Sequence, residues 1–127
     1  MKIFEELIGK TIKEININKG FNDIEEIEFV TTCGNIYKMF HEFECCEEVF
    51  IEDICGDLED LLYSPLLTAE MVSNKDLESY ASTTYTFYKF ATINGYVDIR
   101  WFGESNGAYS EEVSFYNVTD PENYYII

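Results

Sequence analysis

The stretch of sequence that decides the fold is TYTFYKFATINGYVDIRWF, which covers residues 84–102. Its first half is rich in Thr, Tyr and Phe, residues that favour strands, and Asn94-Gly95 is the strongest short hairpin signal in the chain. Beyond the turn the side chains alternate, with Tyr96, Asp98 and Arg100 on one face and Val97, Ile99 and Trp101 on the other. The stretch therefore predicts a hairpin of two antiparallel strands.

On both sides of this hairpin, shorter segments predict further strands at residues 11–18, 24–32, 36–40, 66–72 and 109–118. Residues 4–8 predict a helical turn that ends at Gly9, and Asp57 predicts the cap of a short helix through Leu62. Residues 49–54 leave strand and helix open, while residues 74–82 predict a polar connection. We therefore expect a single α+β domain over residues 1–127, mainly antiparallel β-sheet with one or two short helices.

The charge of the chain is strongly one-sided. Its 8 Lys and Arg residues stand against 25 Asp and Glu residues, a formal net charge of −17. Between His41 and Asn74 there is no Lys or Arg, but there are ten carboxylates: Glu42, Glu44, Glu47, Glu48, Glu52, Asp53, Asp57, Glu59, Asp60 and Glu70. Such a field favours basic partners and disfavours nucleic acid and anionic membranes. The aromatic share of 17% indicates that the charge lies on a folded body.

The sequence carries no recognisable targeting segment. Its start is acidic and lacks the apolar run of a signal peptide, and no stretch approaches the ~20 apolar residues of a membrane span. We therefore expect the protein in the cytosol. Because cytosolic cysteines are normally reduced, the four cysteines are predicted to be buried thiols or metal ligands and not disulfides.

Five residues offer soft metal ligands: Cys33, His41, Cys45, Cys46 and Cys55. A structural zinc ion takes four thiolate or imidazole ligands, and we expect His41, Cys45 and Cys46, completed by Cys33, Cys55 or a nearby carboxylate. The spacing is not that of a zinc finger, and neighbouring cysteines on a strand diverge. Two alternatives stay open: a harder ion, or Cys33 and Cys55 as core residues beside a merely polar His41.

Signals for catalysis are weaker. Glu52-Asp53 with Asp57, Glu59 and Asp60 contains paired carboxylates of the kind that glycosidases use, but their spacing fits a solvated acidic face with a helix cap better. A dyad would have to join His41 to Cys45 or Cys46, and no orienting residue can be named. We therefore expect no enzymatic activity. Tyrosines, which are favoured at interfaces, are predicted on the surface at Tyr37, Tyr85, Tyr109, Tyr116, Tyr124 and Tyr125.

Two runs of sequence carry a resemblance to a known group of proteins. His41-x-x-x-Cys45-Cys46-Glu47 with the following VFIEDICGDLEDL, and residues 86–89, 95–101 and 103–107, resemble a family of small acidic proteins of phages and mobile elements. The similarity covers roughly residues 9–118, and the function of most of the family is unknown. The resemblance implies a mobile-element origin, a bound metal and, as one role, an anti-CRISPR protein that inhibits a type II-A Cas9.

Charge and resemblance together predict a cytosolic binding protein that occupies a basic nucleic-acid-handling surface, that of a host defence nuclease such as Cas9. The carboxylates expected to meet this partner are Glu44, Glu47, Glu48, Glu52, Asp53, Asp57, Glu59 and Asp60. Direct binding of nucleic acid or membrane is not expected. The competing hypotheses are a small metal-assisted hydrolase centred on His41 and the cysteines, and a phage accessory or regulatory protein.

Overall fold

The computed structural model describes residues 2–19, 25–77 and 81–119. Eight strands cover most of them: β1 (Ile12–Lys19), β2 (Glu25–Thr31), β3 (Ile36–Phe40), β4 (Glu48–Cys55), β5 (Thr68–Leu77), β6 (Ser82–Thr92), β7 (Gly95–Ser105) and β8 (Ser114–Asn117). The helical elements are α1 (Lys2–Glu5) and a 3₁₀ helix (Leu58–Leu61). In the described part of the chain, no helix has the length and apolar character needed to cross a membrane.

The strands form two four-stranded antiparallel sheets. The first sheet has the order β1-β2-β3-β8 and the second the order β4-β7-β6-β5. The predicted α+β class is therefore wrong: the fold is almost entirely antiparallel β, and no described helix reaches seven residues. The turn predicted at residues 4–8 is found at Lys2–Glu5, and the short helix predicted after Asp57 exists only as a 3₁₀ turn, because a short segment gains too few hydrogen bonds to offset the cost of starting a helix.

The predicted hairpin is confirmed as β6 and β7. Thr92 pairs with Gly95 next to the turn, and Tyr88 pairs with Ile99 further along the two strands. Burial alternates along both strands, as the sequence pattern predicts. Residues 49–54, for which strand and helix were both open, belong to β4, the strand beside β7. The second sheet is thus built outward from the hairpin.

The inner faces of the two sheets share one hydrophobic core. Phe29 of the first sheet lies 5.4 Å from Phe90 of the second, measured between ring centroids. The indole Nε1 of Trp101 donates to Sδ of Met39 at 3.2 Å, which joins β7 to β3. Phe4 of α1 meets Phe90 edge-on at 5.1 Å, so the short helix covers one part of this core.

Two predicted strands, at residues 66–72 and 109–118, differ most in their bounds from the structure. Strand β5 continues to Leu77, through half of the predicted polar connection at residues 74–82, because an edge strand can keep polar side chains in water while its backbone pairs with β6. Strand β8 is much shorter than the predicted strand at 109–118, since the residues before Ser114 leave the sheet. Residue 24, where the second strand is predicted to begin, lies outside the described residues.

Candidate functional site

The segment that carries most of the predicted site residues joins β3 of the first sheet to β4 of the second. Tyr37 and Met39 of β3 point into the core, and His41, two residues further on, keeps the same inward phase. Glu47, at the other end of the segment, is also buried, with 4% of its surface exposed. The connection is therefore held to the core at both ends.

His41 has a hydrogen-bond partner at each ring nitrogen. Its Nε2 lies 2.7 Å from Oε2 of Glu47, and its Nδ1 lies 2.6 Å from the backbone carbonyl oxygen of Glu112. The Glu112 carbonyl and the Glu47 carboxylate are both hydrogen-bond acceptors, and each faces one nitrogen of the ring. His41 thereby links the segment after β3 to the segment before β8, 71 residues away.

Glu47 is the acceptor around which this segment folds. Burial alone would raise its pKa, but hydrogen bonds from the Cys45 amide, the His41 ring and the Glu44 amide lower the pKa to about 2. The two amides lie 3.0 Å and 2.8 Å from the carboxylate oxygens. Glu47 is therefore ionised at neutral pH and fixes the turn at residues 44–47, and its position excludes it from the predicted partner-binding set.

The cysteines do not occupy the predicted positions. Cys45 and Cys46 form a disulfide with each other, which corrects the expectation of reduced thiols at these residues. Cys33 and Cys55 are exposed, so their interpretation as core residues is wrong. A hydrogen bond from Thr31 lowers the pKa of Cys33, while a hydrogen bond to Asp53 raises the pKa of Cys55. Of these two thiols, Cys33 is therefore the more readily ionised.

The predicted zinc ligands do not converge in this conformation. Both ring nitrogens of His41 already have partners within the protein. Cys33 lies between β2 and β3 of the first sheet, whereas Cys55 ends β4 of the second sheet. Within the described ranges, no group of three or more His, Cys, Asp or Glu side chains is arranged to hold a metal ion. A structural zinc stays a prediction for this chain.

The remaining predicted carboxylates lie on the surface. Glu44, Glu48, Glu52, Asp53, Asp57 and Glu59 are exposed, and Asp60 is half-buried. Glu48, Glu52 and Asp53 belong to β4, which is an edge strand of the second sheet. Glu52 forms an ion pair with Nε of Arg100 at 2.8 Å. Asp57 accepts a hydrogen bond from the Glu59 amide, which confirms its predicted role as a cap. We call these surface carboxylates from Glu44 to Asp60 the acidic edge.

The predicted surface tyrosines divide into three groups. Tyr37 is buried in the core, so its prediction is wrong. Tyr85 is exposed, and Tyr109 and Tyr116 are half-buried. Tyr124 and Tyr125 lie outside the described residues.

A second buried carboxylate, Glu111, was not predicted. It is 4% exposed and accepts hydrogen bonds from the hydroxyls of Ser82, Thr84 and Ser105. Gly103 makes room for it, because a Cβ on that glycine would lie 2.8 Å from Cβ of Glu111. The sequence feature that could have indicated a buried polar partner is the row of Ser and Thr residues at inward positions of β6 and β7, where apolar side chains would be expected.

With this geometry established, comparison with known proteins shows the family. A family model described as "Domain of unknown function (DUF7448)" matches residues 5–115. The chain belongs to the DUF7448 family. No curated protein and no solved structure matches the chain. The matched region of this DUF7448 protein includes both buried carboxylates and the acidic edge.

The chemistry open to the DUF7448 site follows from its hydrogen bonds. A polar cleft of about 260 Å³ lies beside His41 and is lined by Glu42, Glu44, Ser110, Glu112 and Ser114. Since both ring nitrogens of His41 are occupied by partners within the protein, neither is available in this conformation to contact a bound molecule. The contacts of His41 with Glu47 and Glu112 therefore hold the segment after β3 against the segment before β8. The exposed carboxylates are the groups that remain accessible to a partner.

Proposed function

We propose that this protein is an acidic binding protein of a phage or mobile element that occupies a basic nucleic-acid-handling surface of a host protein. It acts by binding, without an enzymatic activity of its own, in the host cytosol. Such a surface gathers Lys and Arg residues that neutralise phosphates. Carboxylates fixed on a folded body compete for the same cations and thereby keep nucleic acid away.

The observation that carries the proposal is the acidic edge. Glu48, Glu52 and Asp53 are held on β4, so their spacing is set by a strand and not by a flexible tail. Asp57 and Glu59 continue the same chain segment around the 3₁₀ helix. Residues 42–74 contain no Lys or Arg, and Arg100, the partner of Glu52, comes from β7. A rigid acidic edge favours fast association with a basic groove.

The first target to test is a type II-A CRISPR nuclease with its guide RNA, because that is the target implied by the sequence resemblance. The measurement is a mobility-shift assay of target-DNA binding by the nuclease complex, with this protein added at increasing molar ratio. We expect loss of DNA binding near an equimolar ratio, and a weaker effect as salt rises, since charges are screened beyond ~8 Å at 0.15 M ionic strength.

Matched charge reversals test the role of the acidic edge. Glu48→Lys with Glu59→Lys changes two exposed side chains of that edge, while Glu6→Lys with Glu14→Lys makes the same change in charge elsewhere. The first pair is expected to lower the association rate about tenfold and the second much less. Undisturbed DNA binding, or inhibition that is insensitive to both salt and the first pair, would contradict the proposal for this target.

Binding and catalysis are separated by the state of the target after release. A binding protein acts at a stoichiometric ratio and leaves the target chemically intact, whereas a hydrolase acts below that ratio and leaves a changed product. Mass spectrometry of the released nuclease, guide and DNA distinguishes the two, and a covalent change would overturn the proposal. If the nuclease is unaffected, capture from host lysate at low salt, followed by identification of the bound protein, supplies the next target.

A further inference from the structure

The outer face of the second sheet, opposite the core, carries a continuous set of aromatic rings. Phe50 of β4 pairs with Phe102 of β7, which pairs with Tyr85 of β6. Their ring centroids are 5.5 Å and 5.3 Å apart. We call these three residues the aromatic row. Phe87, two residues along β6, lies 6.4 Å from Tyr85 and extends the apolar surface.

The aromatic row faces away from the core. Along β6 and β7 the buried residues belong to the opposite phase of the strand, so the side chains of the row stand on the outer surface. Tyr85 is 37% exposed, and Val72, which pairs with Phe87, is 41% exposed. Outward faces of antiparallel sheets are usually polar, so a joined group of aromatic side chains here marks an interaction surface.

Carboxylates adjoin the aromatic row on one side. Two residues further along each strand, Glu48 pairs with Glu104, Glu104 pairs with Thr83, and Thr83 pairs with Asp76. We call Glu48, Glu104 and Asp76 the acidic row. Like charges placed directly opposite each other on neighbouring strands destabilise a sheet, so the Glu48–Glu104 pair is a cost to the free protein. A cation bound between the two carboxylates would remove that cost.

A cleft lies at the β4 end of the acidic row. It has a volume of about 250 Å³ and is lined by Cys46, Glu48, Ala81, Glu104, Ser105 and Asn106. The cleft gives a long side chain room to reach both carboxylates from outside. The next row of the sheet beyond the cleft is the aromatic row, so a chain crossing this face meets acidic and aromatic groups in succession.

We propose that the outer face of the second sheet docks a basic protein segment, with Arg or Lys side chains against the acidic row and apolar side chains on the aromatic row. The inference rests on the proposed function in requiring a basic partner, and it adds the face and the apolar component of recognition. A guanidinium group suits both rows, because it binds carboxylates in a bidentate manner and stacks on aromatic rings.

Charge selects this occupant over the others that an aromatic face admits. Nucleic acid would bring phosphates against Glu48 and Glu104, which repel them. A second copy of the chain would bring another body of net charge −17 toward the same face. A basic segment is attracted by the acidic row and gains apolar burial on the aromatic row.

The test uses three fluorescently labelled peptides and measures their binding by anisotropy. They consist of four Arg-Leu repeats, four Arg-Ser repeats and four Glu-Leu repeats, so that charge and apolar character vary separately. We expect the Arg-Leu peptide to bind about tenfold more tightly than the Arg-Ser peptide, since burying one apolar side chain is worth that much. The Glu-Leu peptide is expected not to bind.

Variants of the aromatic row locate the binding. Tyr85→Thr and Phe102→Thr keep the strand preference and remove the rings, so each should lower the affinity for Arg-Leu toward that for Arg-Ser. Tyr96→Thr is the matched control: Tyr96 is 69% exposed on the same face of β7, about 20 Å from Phe102 along the strand. The affinity of Tyr96→Thr for the Arg-Leu peptide should equal that of the unchanged protein. Melting temperatures confirm that each variant is folded. The comparison of the three peptides uses the unchanged protein, so it remains a test of the proposal even if a variant does not fold.

The outcomes separate this inference from the proposed function. Equal, salt-sensitive binding of the Arg-Leu and Arg-Ser peptides would overturn the aromatic docking face and leave electrostatic recognition standing. If neither peptide binds but the nuclease complex is inhibited, the aromatic docking face is likewise overturned and electrostatic recognition is left standing. Equal binding of the Glu-Leu peptide would overturn both proposals. Self-association that is lost in Phe102→Thr, measured by sedimentation, would assign the face to a second copy and overturn the inference.

Discussion

Glu47 and Glu111 are equally buried, yet the protein holds their charges in different ways. Glu47 accepts from the ring of His41 and from two backbone amides, so donors with fixed positions meet its charge. Glu111 accepts from the hydroxyls of Ser82, Thr84 and Ser105, which are neutral groups that rotate. Burial alone therefore does not predict how much a carboxylate contributes to stability. That contribution depends on the nature and rigidity of the groups that donate hydrogen bonds to the carboxylate.

The difference matters because the two sites hold neighbouring segments. The segment before β4 is fixed by Glu47, and the segment before β8 is fixed by Glu111 from one side and by the bond between His41 and the Glu112 carbonyl from the other. Hydroxyls can donate or accept, so they can adapt to a changed partner, whereas backbone amides can only donate. We expect the Glu47 site to tolerate substitution less well.

Glu47→Gln gives the largest effect. It replaces a buried carboxylate that accepts three hydrogen bonds, and since a hydrogen bond to a charged group is worth about 1.5–3 kcal/mol, the loss of unfolding free energy should be about 3 kcal/mol or more. Urea unfolding at neutral pH measures the change. Glu111→Gln is expected to cost less, since its hydroxyl donors can turn to suit an amide. Glu42→Gln, an exposed position in the same segment, serves as the control, with a change within about 0.5 kcal/mol. Equal losses for Glu47→Gln and Glu111→Gln would contradict the expected difference between the two sites.

Acid provides a second test of Glu47. Its pKa is lowered in the folded protein from 4.5 to about 2, so its contribution to stability is fully present above pH 4.5 and is lost as the pH falls toward 2. The full contribution is roughly 3 kcal/mol. The difference in unfolding free energy between the unchanged protein and Glu47→Gln should therefore narrow over that pH range. A difference that stays constant down to pH 2 would show that the charge of Glu47 is not what stabilises the fold.

Thr84→Val tests the hydroxyl donors of Glu111. The substitution keeps the shape of the side chain but removes the hydrogen bond to Oε1, which measures 2.6 Å. A hydrogen bond to a charged group is worth about 1.5–3 kcal/mol, so stability should fall by that amount. Thr86→Val, two residues along the same buried face, is the matched control. In combination with Glu111→Gln the effect of Thr84→Val should shrink, and simple additivity would argue against their interaction.

Glu104→Gln should have the smallest effect, and of opposite sign. It removes one charge from the directly opposed Glu48–Glu104 pair, so the free protein should gain about 0.2–1 kcal/mol. Thermal unfolding at low salt measures the gain, and added salt should reduce it. Glu59→Gln removes an equal charge from the 3₁₀ helix and serves as the control. A loss of stability in Glu104→Gln would mean that this carboxylate has a favourable partner in the free protein.

The parts of the fold that the sequence predicted depend on local patterns. Asn94-Gly95 and the alternation that follows it define β6 and β7 because both signals act within a few residues. The predicted strand at 36–40 coincides with β3 for the same reason. The helical turns were overvalued, since a cap at Asp57 and one apolar turn are equally compatible with a 3₁₀ helix. Fold class could not follow from such ambiguous single turns.

The site was less predictable because its contacts are distant in sequence. His41 was a candidate on account of its side chain, but the Glu112 carbonyl that fixes its ring belongs to the backbone and leaves no trace in residue type. Glu47 was grouped with its acidic neighbours, and its burial, its contact with His41 and its amide donors distinguish it from Glu48. The aromatic row joins residues from three strands, so it becomes visible only once the register of β4, β7 and β6 is known.

The place of β8 in the first sheet has a consequence for the order of folding. β8 completes that sheet by pairing with β3, and Phe40 pairs with Ser114, which lies 74 positions further along the chain. The second sheet contains the hairpin of β6 and β7, which closes over a short turn and can form early. During synthesis the first sheet cannot be completed until residues 114–117 have been made. Until then the inner side of β3 lacks Phe115, whose ring stacks on Tyr37 in the folded protein. We therefore expect a nascent chain in which the surface proposed for docking is assembled before the opposite sheet is closed.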